Sequence, residues 1–154
     1  MKILRLLFFL IPFFVHSQKN NLEFYMNSKL EKNKEVKIIY NDANVDEIED
    51  NQYSQILSKK LLFDLNKNGL SVIFPIDLKE ACLSKSCTDI KDVINDFNYY
   101  YIYINTQNTS TRTSIVGAIY FNGKVIGGFT AFRSYWTNSR FEDLSDSICK
   151  NIIK

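Results

Sequence analysis

The sequence predicts an α+β domain, an α/β arrangement on a single mixed sheet with the element order β-α-β-α-β-β-β-α. Residues 36–74 show strand, helix and strand patterns in succession, the unit that pairs strands in parallel through a right-handed crossover. Asn122-Gly123 separates two apolar runs and predicts a hairpin, because a two-residue type I′ turn needs positive φ at both positions. With the aromatic strand before it, the hairpin forms a carboxy-terminal β-meander, which a closing helix follows.

The amino terminus has the order of a cleavable secretory signal peptide. Lys2 and Arg5 precede an apolar run, 6–15, and the small residue Ser17 stands before Gln18. A membrane-spanning helix is the alternative, but it needs roughly 20 apolar residues and this run is too short. The sequence therefore predicts export, with a periplasmic or secreted mature protein and no membrane span after cleavage.

The length after cleavage predicts one domain. Removing the signal peptide, residues 1–17, from the 154 residues leaves 137, enough for one domain to bury its own core. Asn, Lys and Glu are frequent in residues 18–35, so we expect an amino-terminal extension there, either loosely held or a short helix. Residues 36–154 then form the single α/β domain.

Charge and histidine content narrow the function classes. Cleavage removes two of the 19 basic residues and none of the 17 acidic ones, so the mature chain has a formal net charge of zero. That balance gives no electrostatic basis for binding nucleic acid or an anionic membrane. The one histidine, His16, lies in the signal, so the mature chain has no Ser-His-Asp or Cys-His arrangement and lacks the commonest transition-metal ligand. We therefore predict no metal and no cofactor.

Three cysteines remain in the mature chain. Cys82 and Cys87 enclose a short polar loop, and outside the cytoplasm we expect them to form a disulfide. A metal site is the alternative, yet two thiolates fall short of four ligands. Cys149 lies in a helical stretch, where we expect a small buried hydrophobe.

The first half of the domain begins with a β-branched strand at 36–40. A helix follows in which apolar residues recur every three or four positions, namely Tyr53, Ile56, Leu57, Leu61 and Leu65. Asp50 or Asn51 is its predicted cap, and Gly69 supplies a left-handed stop.

Predicted strands and a predicted helix alternate in the middle of the chain. A strand at 70–74 is predicted to end at Pro75, and apolar spacing predicts a helix over 88–97. A strand at 99–104 and a polar loop at 105–114 come next.

The carboxy-terminal part adds two local signals. Gly127-Gly128 in the second arm of the hairpin marks a bulge or a close packing contact. Ser139 and Glu142 form a capping box that opens the closing helix. The apolar face of that helix consists of Phe141, Leu144, Ile148 and Ile152.

The predicted sheet has apolar residues on both faces. Strand 99–104 directs Tyr100 and two isoleucines to one face and tyrosines to the other, and the hairpin register pairs Val116 with Phe129 on the tyrosine side. Either the chain covers this side itself, with the segment around Phe24 or the closing helix, or a partner or second copy covers it. The candidate partner surface consists of Tyr101, Tyr103, Tyr120, Phe129, Arg112 and Arg133.

The element order resembles small α/β domains of bacterial envelope proteins. The residues that carry the resemblance are the 68–73 segment, the Asn122-Gly123 hairpin and the closing helix that begins with Phe141. The amino-terminal domain of the Tol-system propeller protein and the curli secretion lipoprotein are examples of such domains. The resemblance implies a role in assembly or partner binding, and it transfers no catalytic motif.

The leading functional hypothesis is an exported, non-catalytic envelope or secreted domain that binds a protein or cell-envelope partner, in an assembly or accessory role. A homodimer is one form of this hypothesis. One alternative is a glycan-cleaving enzyme, since such enzymes can work with two carboxylates and no histidine. Another is a carrier of a small apolar ligand.

Overall fold

The computed structural model describes residues 21–42, 52–82, 90–94, 96, 98–108 and 112–153. These residues form one six-stranded mixed sheet with the order β1-β6-β5-β4-β2-β3 and helices packed against it. The strands are β1 (Asn21–Met26), β2 (Glu35–Asn41), β3 (Ser71–Asp77), β4 (Tyr100–Asn108), β5 (Thr113–Phe121) and β6 (Lys124–Arg133). The helices are α1 (Tyr53–Lys67), α2 (Leu78–Cys82) and α3 (Asn138–Ile152), with a 3₁₀ turn at Ile90–Asp92. The predicted fold class is confirmed.

The strand directions confirm the predicted parallel pairing of the two strands on either side of α1. β2 is parallel to both β3 and β4, and the remaining pairs are antiparallel. The predicted signal peptide lies outside the described residues and stays a prediction.

The amino-terminal segment contributes a strand to the sheet. β1 pairs with β6, and its alternate residues Leu22, Phe24 and Met26 pack against the core beneath the helices. Leu30 is fully buried, and its N–H donates to the carbonyl of Ile152 at 2.7 Å. The expectation of a loosely held extension or short helix is therefore wrong for the part that the structure describes. The missed signal is the alternation of apolar and polar residues in β1.

A carboxylate from outside the helix caps α1. The Asp42 side chain, just after β2, accepts the backbone N–H of Ser54 at 2.9 Å and that of Gln55 at 3.2 Å. An anion there satisfies helix donors that have no partner and favours the amino-terminal dipole. The predicted caps, Asp50 and Asn51, lie outside the described residues.

The end of α1 is as predicted. Gly69 has a φ of 85°, and its N–H donates to the carbonyl of Asn66 at 2.9 Å. The N–H of Leu70 donates to the carbonyl of Leu65 at 3.1 Å, which completes a Schellman motif. The strand that follows can therefore start at once and lie parallel to β2.

Pro75 lies inside β3 and does not end it, which corrects the prediction. β3 is an outer strand of the described sheet, where a missing N–H is tolerated. Lys37 pairs with Ile73 but Ile39 pairs with Ile76, so β3 carries an extra residue opposite β2. The strand accommodates the proline through this bulge.

The predicted helix over 88–97 is wrong in extent. The described part contains a single 3₁₀ turn in which the Ile90 carbonyl accepts the N–H groups of Val93 and Ile94, at 3.0 and 3.1 Å. The spacing of Ile90, Val93 and Ile94 allows their side chains to pack on the sheet. Isoleucine and valine are β-branched and therefore weak helix formers.

The predicted loop over 105–114 is also mostly strand. β4 continues to Asn108 and β5 starts at Thr113, and these two residues pair. Backbone pairing with β5 overrides the weak strand preference of the polar residues in this stretch.

The hairpin is confirmed, with a change of register inside it. Asn122 and Gly123 have φ values of 51° and 70°, as a type I′ turn requires. Tyr120 pairs with Val125 as predicted.

A bulge then shifts the second arm of the hairpin. Ile119 pairs with Gly127, which leaves one residue of β6 without a counterpart. Phe129 consequently pairs with Gly117, and the predicted pairing with Val116 is wrong. A one-residue slip moves a side chain to the opposite face, so Phe129 points toward the helices.

The closing helix has a different cap from the predicted one. Thr137 is the N-cap, and its hydroxyl oxygen accepts the N–H of Arg140 at 3.4 Å. Ser139 lies within the first turn and hydrogen-bonds to Thr137, while Glu142 pairs with Lys60 of α1 at 2.7 Å. The predicted apolar face is confirmed, because its members are all buried: Phe141, Leu144, Ile148 and Ile152.

Two separate apolar clusters lie on the two faces of the sheet. The helix-face core joins α1 and α3 to the side of β4 that carries Tyr100, Ile102 and Ile104. The tyrosine-face cluster has Ile39, Ile90, Tyr101 and Tyr120 as buried members, with Leu78, Val93, Ile94, Tyr99, Tyr103 and Ala118 partly buried around them. The predicted division of β4 into two faces is confirmed.

The tyrosine face is partly covered by the chain, through residues that the sequence did not indicate. The covering residues lie in α2 and around the 3₁₀ turn, whereas Phe24 and the closing helix pack on the helix-face core. Within the described residues, no helix is both long enough and apolar enough to cross a bilayer.

Candidate functional site

A groove of about 420 Å³ opens on the tyrosine face of the sheet, beside β3. β2 and β4 form its floor, β3 one wall, and α2 with the 3₁₀ turn the other. We call it the β3 groove, and its lining residues are Lys37, Ile38, Ile39, Ile73, Phe74, Ile76, Ala81, Asp92, Val93 and Tyr101. The described lining is mainly apolar and includes the charged residues Lys37 and Asp92.

The bulge in β3 shapes the outer wall of the groove. Ile73 and Ile76 are three positions apart but pair with Lys37 and Ile39, which are two apart, so both isoleucines share a face with the floor. Phe74 stands at the bulge and is 72% exposed, beside Ile73 at 37% and Ile76 at 39%. Bulges commonly re-aim a side chain at sheet edges. Here the result is a projecting aromatic ring next to an apolar groove.

The floor of the groove is aromatic and carries a fixed positive charge. The Nζ atom of Lys37 lies 3.6 Å from the ring centroid of Tyr99 and 5.6 Å from that of Tyr101. These are cation–π distances, which favour a stable position for the ammonium group. Burial raises the pKa of Tyr101, and a hydrogen bond with the backbone of Asp96 lowers it in part. The hydroxyl therefore remains neutral, and the ring offers apolar contact.

The structure separates the residues of the predicted partner surface. Tyr101 is 2% exposed and lines the β3 groove, while Tyr120 is buried beside it. Tyr103 belongs to the same cluster, and its hydroxyl accepts a hydrogen bond from Asn41 at 3.3 Å. Phe129 lies on the opposite face, in the helix-face core.

Of the two predicted arginines, Arg133 lies on the helix side of the sheet, away from the tyrosines. Arg133 lines a cavity of about 10 Å³ together with Trp136 and Leu144, on the helix side. Arg112 precedes β5 at the end of the sheet where Thr113 pairs with Asn108. Sequence reasoning missed Ile73, Phe74 and Ile76, whose signal is an apolar run that continues beyond Pro75.

A second groove, of about 470 Å³, lies between α1 and α3 and contains two acids. Asp64 accepts a hydrogen bond from the Ser145 hydroxyl at 2.6 Å, and Glu142 forms its ion pair with Lys60. Phe63, which lines the same groove, is 69% exposed. The two carboxylates therefore hold helices together, and each one has a partner of its own.

Buried polar groups at the start of α1 also satisfy one another. The hydroxyl groups of Ser54 and Thr106 lie 2.5 Å apart, and Thr106 donates to Asp42 at 3.2 Å. Asp42 is the acid that caps α1, so its carboxylate joins β2, β4 and the helix. Such a cluster serves to fix the helix on the sheet, because buried polar groups need partners.

Cys149 is a free, buried cysteine, as predicted. Burial raises the pKa of its thiol to about 12, and the nearby Asp64 and Asp146 add to the effect. A protonated thiol is a poor nucleophile, so this residue acts as a core side chain. Cys87 lies outside the described residues, and the Cys82–Cys87 disulfide stays a prediction. In the described parts of the chain, no three His, Cys, Asp or Glu side chains gather closely enough to hold a metal ion.

Comparisons with known proteins give similarity of fold. The sequence matches no protein-family model and no curated protein. A PelC dodecamer from Paraburkholderia phytofirmans, solved as a single-residue variant, has a TM-score of 0.53 at 13% identity, over 86% of this chain and 94% of that one. At this identity the similarity shows a shared fold.

Two further solved structures resemble the fold more loosely. TolB from Acinetobacter baumannii has a TM-score of 0.42 at 10% identity, over 85% of this chain and 29% of that one. A lipoprotein from Neisseria meningitidis has a TM-score of 0.42 at 13% identity, over 77% of this chain and 97% of that one. The resemblance to the curli secretion lipoprotein stays a prediction.

Proposed function

We propose that the mature chain is an exported, non-catalytic domain of the envelope or the secreted fraction, which binds a protein partner through the β3 groove in an assembly or accessory role. The β3 groove carries the proposal, because it joins exposed large apolar side chains to an apolar floor at the edge of a sheet. Exposed apolar surface of this kind marks interaction sites. The signal-peptide pattern and the neutral mature charge support export and a partner without a strong charge.

The similar structure adds independent support for assembly. PelC was solved as a dodecamer, so a domain of this fold can associate in several copies. A glycan-cleaving enzyme has less support, because Asp64 and Glu142 are engaged with Ser145 and Lys60. A small apolar ligand would fit the volume of the β3 groove. A carrier pocket buries most of its ligand, however, and this groove is open to solvent, with the wall residue Phe74 72% exposed.

The first test concerns export. Mature protein isolated from the native host should begin at or next to Gln18, and it should be recovered outside the cytoplasm. Intact-mass detection of Met1 on the exported protein would contradict the predicted cleavage.

Non-reducing peptide mapping of the same sample should join Cys82 to Cys87, and a cross-link to Cys149 would contradict that pairing.

The second test concerns the groove. Phe74 is replaced in the host by the photoreactive analogue p-benzoylphenylalanine, and Phe63, of nearly equal exposure on α1, is the matched control. Illumination should give a defined protein adduct at position 74 and none at position 63. An absence of adducts at position 74, or the same adducts at both positions, would remove the groove as the binding surface.

A further inference from the structure

We infer that the partner of the β3 groove is a second copy of this chain, bound around a two-fold axis. The inference rests on the proposed function, because it names the partner of that same surface. It begins from the shape of the surface: Phe74 projects at the bulge, and the groove of about 420 Å³ opens directly beside it.

A projection and a cavity on one surface make that surface self-complementary. In a two-fold dimer the same patch meets itself, so residue i of one copy contacts residue j of the other and the reverse. The Phe74 ring of each copy can then enter the groove of its partner, against the partly exposed side chains of Ile73 and Ile76. A second copy in this arrangement uses both the projection and the cavity.

The charges of the groove agree with a second copy. Among the described lining residues, Lys37 and Asp92 contribute one cation and one anion, so these residues give the groove no net charge that would repel a second copy. The mature chain has a formal net charge of zero, so long-range repulsion between copies is small. A strongly acidic or basic partner would find no matching patch among the lining residues.

Pro75 limits the way in which the copies associate. An exposed edge strand normally invites backbone pairing, and proline and bulges are the features that prevent it. β3 carries both in its centre, so contact between copies depends on side chains and not on a continuous sheet. Contact through this surface therefore does not extend the sheet at β3.

The test is sedimentation velocity of the exported mature protein over a concentration series. The wild type should show a monomer–dimer equilibrium, and Phe74→Glu should weaken dimerisation by roughly tenfold or more, as expected for a central aromatic contact. Phe63→Glu is the matched control and should leave the dimerisation constant unchanged. Phe74→Ser, which adds no charge, should act in the same direction as Phe74→Glu. Circular dichroism of each variant checks that the exposed substitution leaves the fold intact.

The outcomes separate this inference from the proposed function. A wild type that stays monomeric at up to about 100 μM, where weak specific dimers assemble, would overturn the inference. If another protein is then cross-linked at position 74, the proposed function still stands. Dimers that persist in Phe74→Glu, or larger open-ended species, would contradict the two-fold arrangement.

Discussion

The two faces of the sheet are both apolar, but they are covered in different ways. α1 and α3 close the helix face over most of its width, and fully buried residues such as Leu61, Ile102 and Ile148 meet there. Among the described residues, the cover of the tyrosine face consists of a five-residue helix and the residues around a 3₁₀ turn. The helix face therefore supplies most of the stability, and the tyrosine face leaves apolar surface available for binding.

The two bulges decide which residues lie on each face. The bulge in β6 transfers Phe129 from the tyrosine face to the helix-face core. The bulge in β3 keeps Ile73 and Ile76 together on the tyrosine face and exposes Phe74. The bulge in β6 thus adds an aromatic ring to the helix face, and the bulge in β3 adds a projecting ring to the tyrosine face.

The largest expected loss of stability comes from a substitution on the helix face. Phe141 is 2% exposed and lies between Trp136, at 5.1 Å between ring centroids, and Tyr53, at 5.7 Å. Phe141→Ala should lower the free energy of unfolding by about 3–5 kcal/mol, because it leaves a cavity in a closely packed core. Ile90→Ala in the cover of the tyrosine face should cost about 2 kcal/mol or less, the low end for such truncations. Urea unfolding of both variants measures the difference. Equal costs would mean that the tyrosine face is as closely packed as the helix face.

The next effect tests the position of Phe129. A Cβ atom at Gly117 would lie 2.1 Å from the Phe129 ring, so Gly117→Ala should lower the free energy of unfolding by about 1–3 kcal/mol through overpacking. Phe129→Leu in the same chain should recover part of that loss, because the smaller side chain leaves room for the methyl group. Additive losses in the double variant would place Phe129 away from Gly117 and restore the predicted register.

The third expected effect is a pH dependence of the free energy of unfolding that comes from Cys149 in the helix-face core. The ordinary thiol pKa is 9.0, and burial raises that of Cys149 to about 12. Between these values the unfolded chain loses the proton that the folded chain keeps, so the free energy of unfolding falls as pH rises, by up to about 1.4 kcal/mol per pH unit. Urea unfolding of the wild type and of Cys149→Ala between about pH 9 and pH 11 measures this fall in the free energy of unfolding. The fall should be shallower in the variant. Tyr100 and Tyr101, whose pKa values burial also raises, are present in both proteins. Parallel declines would show that the thiol is not buried.

The smallest expected effect lies on the exposed rings. Phe74→Ser and Phe63→Ser should each change the free energy of unfolding by no more than about 0.5 kcal/mol when measured on the monomer. Both rings are largely exposed and add little to either apolar cluster. Thermal unfolding of dilute samples provides the measurement. A large loss for Phe74→Ser would assign that ring a role in the fold and remove it from the binding surface.

The parts of the fold that follow from local pattern could be predicted from the sequence. Gly69, Asn122 and Gly123 act through their own backbone preferences, and the apolar stripe of the closing helix follows from its spacing. Features that depend on distant partners could not be predicted. Asp42 caps α1 across a stretch of chain, and the register of Phe129 depends on a bulge that local pattern does not locate.

The candidate site was predicted only in part for the same reason. Tyr101 was placed on the correct face by strand alternation, and it lines the β3 groove. The wall around Phe74 does not follow from the sequence, because a proline usually ends a strand, whereas a bulge at a sheet edge allows this strand to continue past Pro75. The cover of the tyrosine face was missed because its residues form only short helical turns.

Hydrogen–deuterium exchange of the mature protein, compared at concentrations where it is monomeric and where it is associated, tests the central claim most directly. The claim is that binding uses the open tyrosine face at the β3 groove and leaves the closed helix face unchanged. Peptides that cover 71–77 and 90–94 should gain protection on association, while peptides from α1 should not. Protection gained in α1 alone, or an absence of any change at 71–77, would contradict the account.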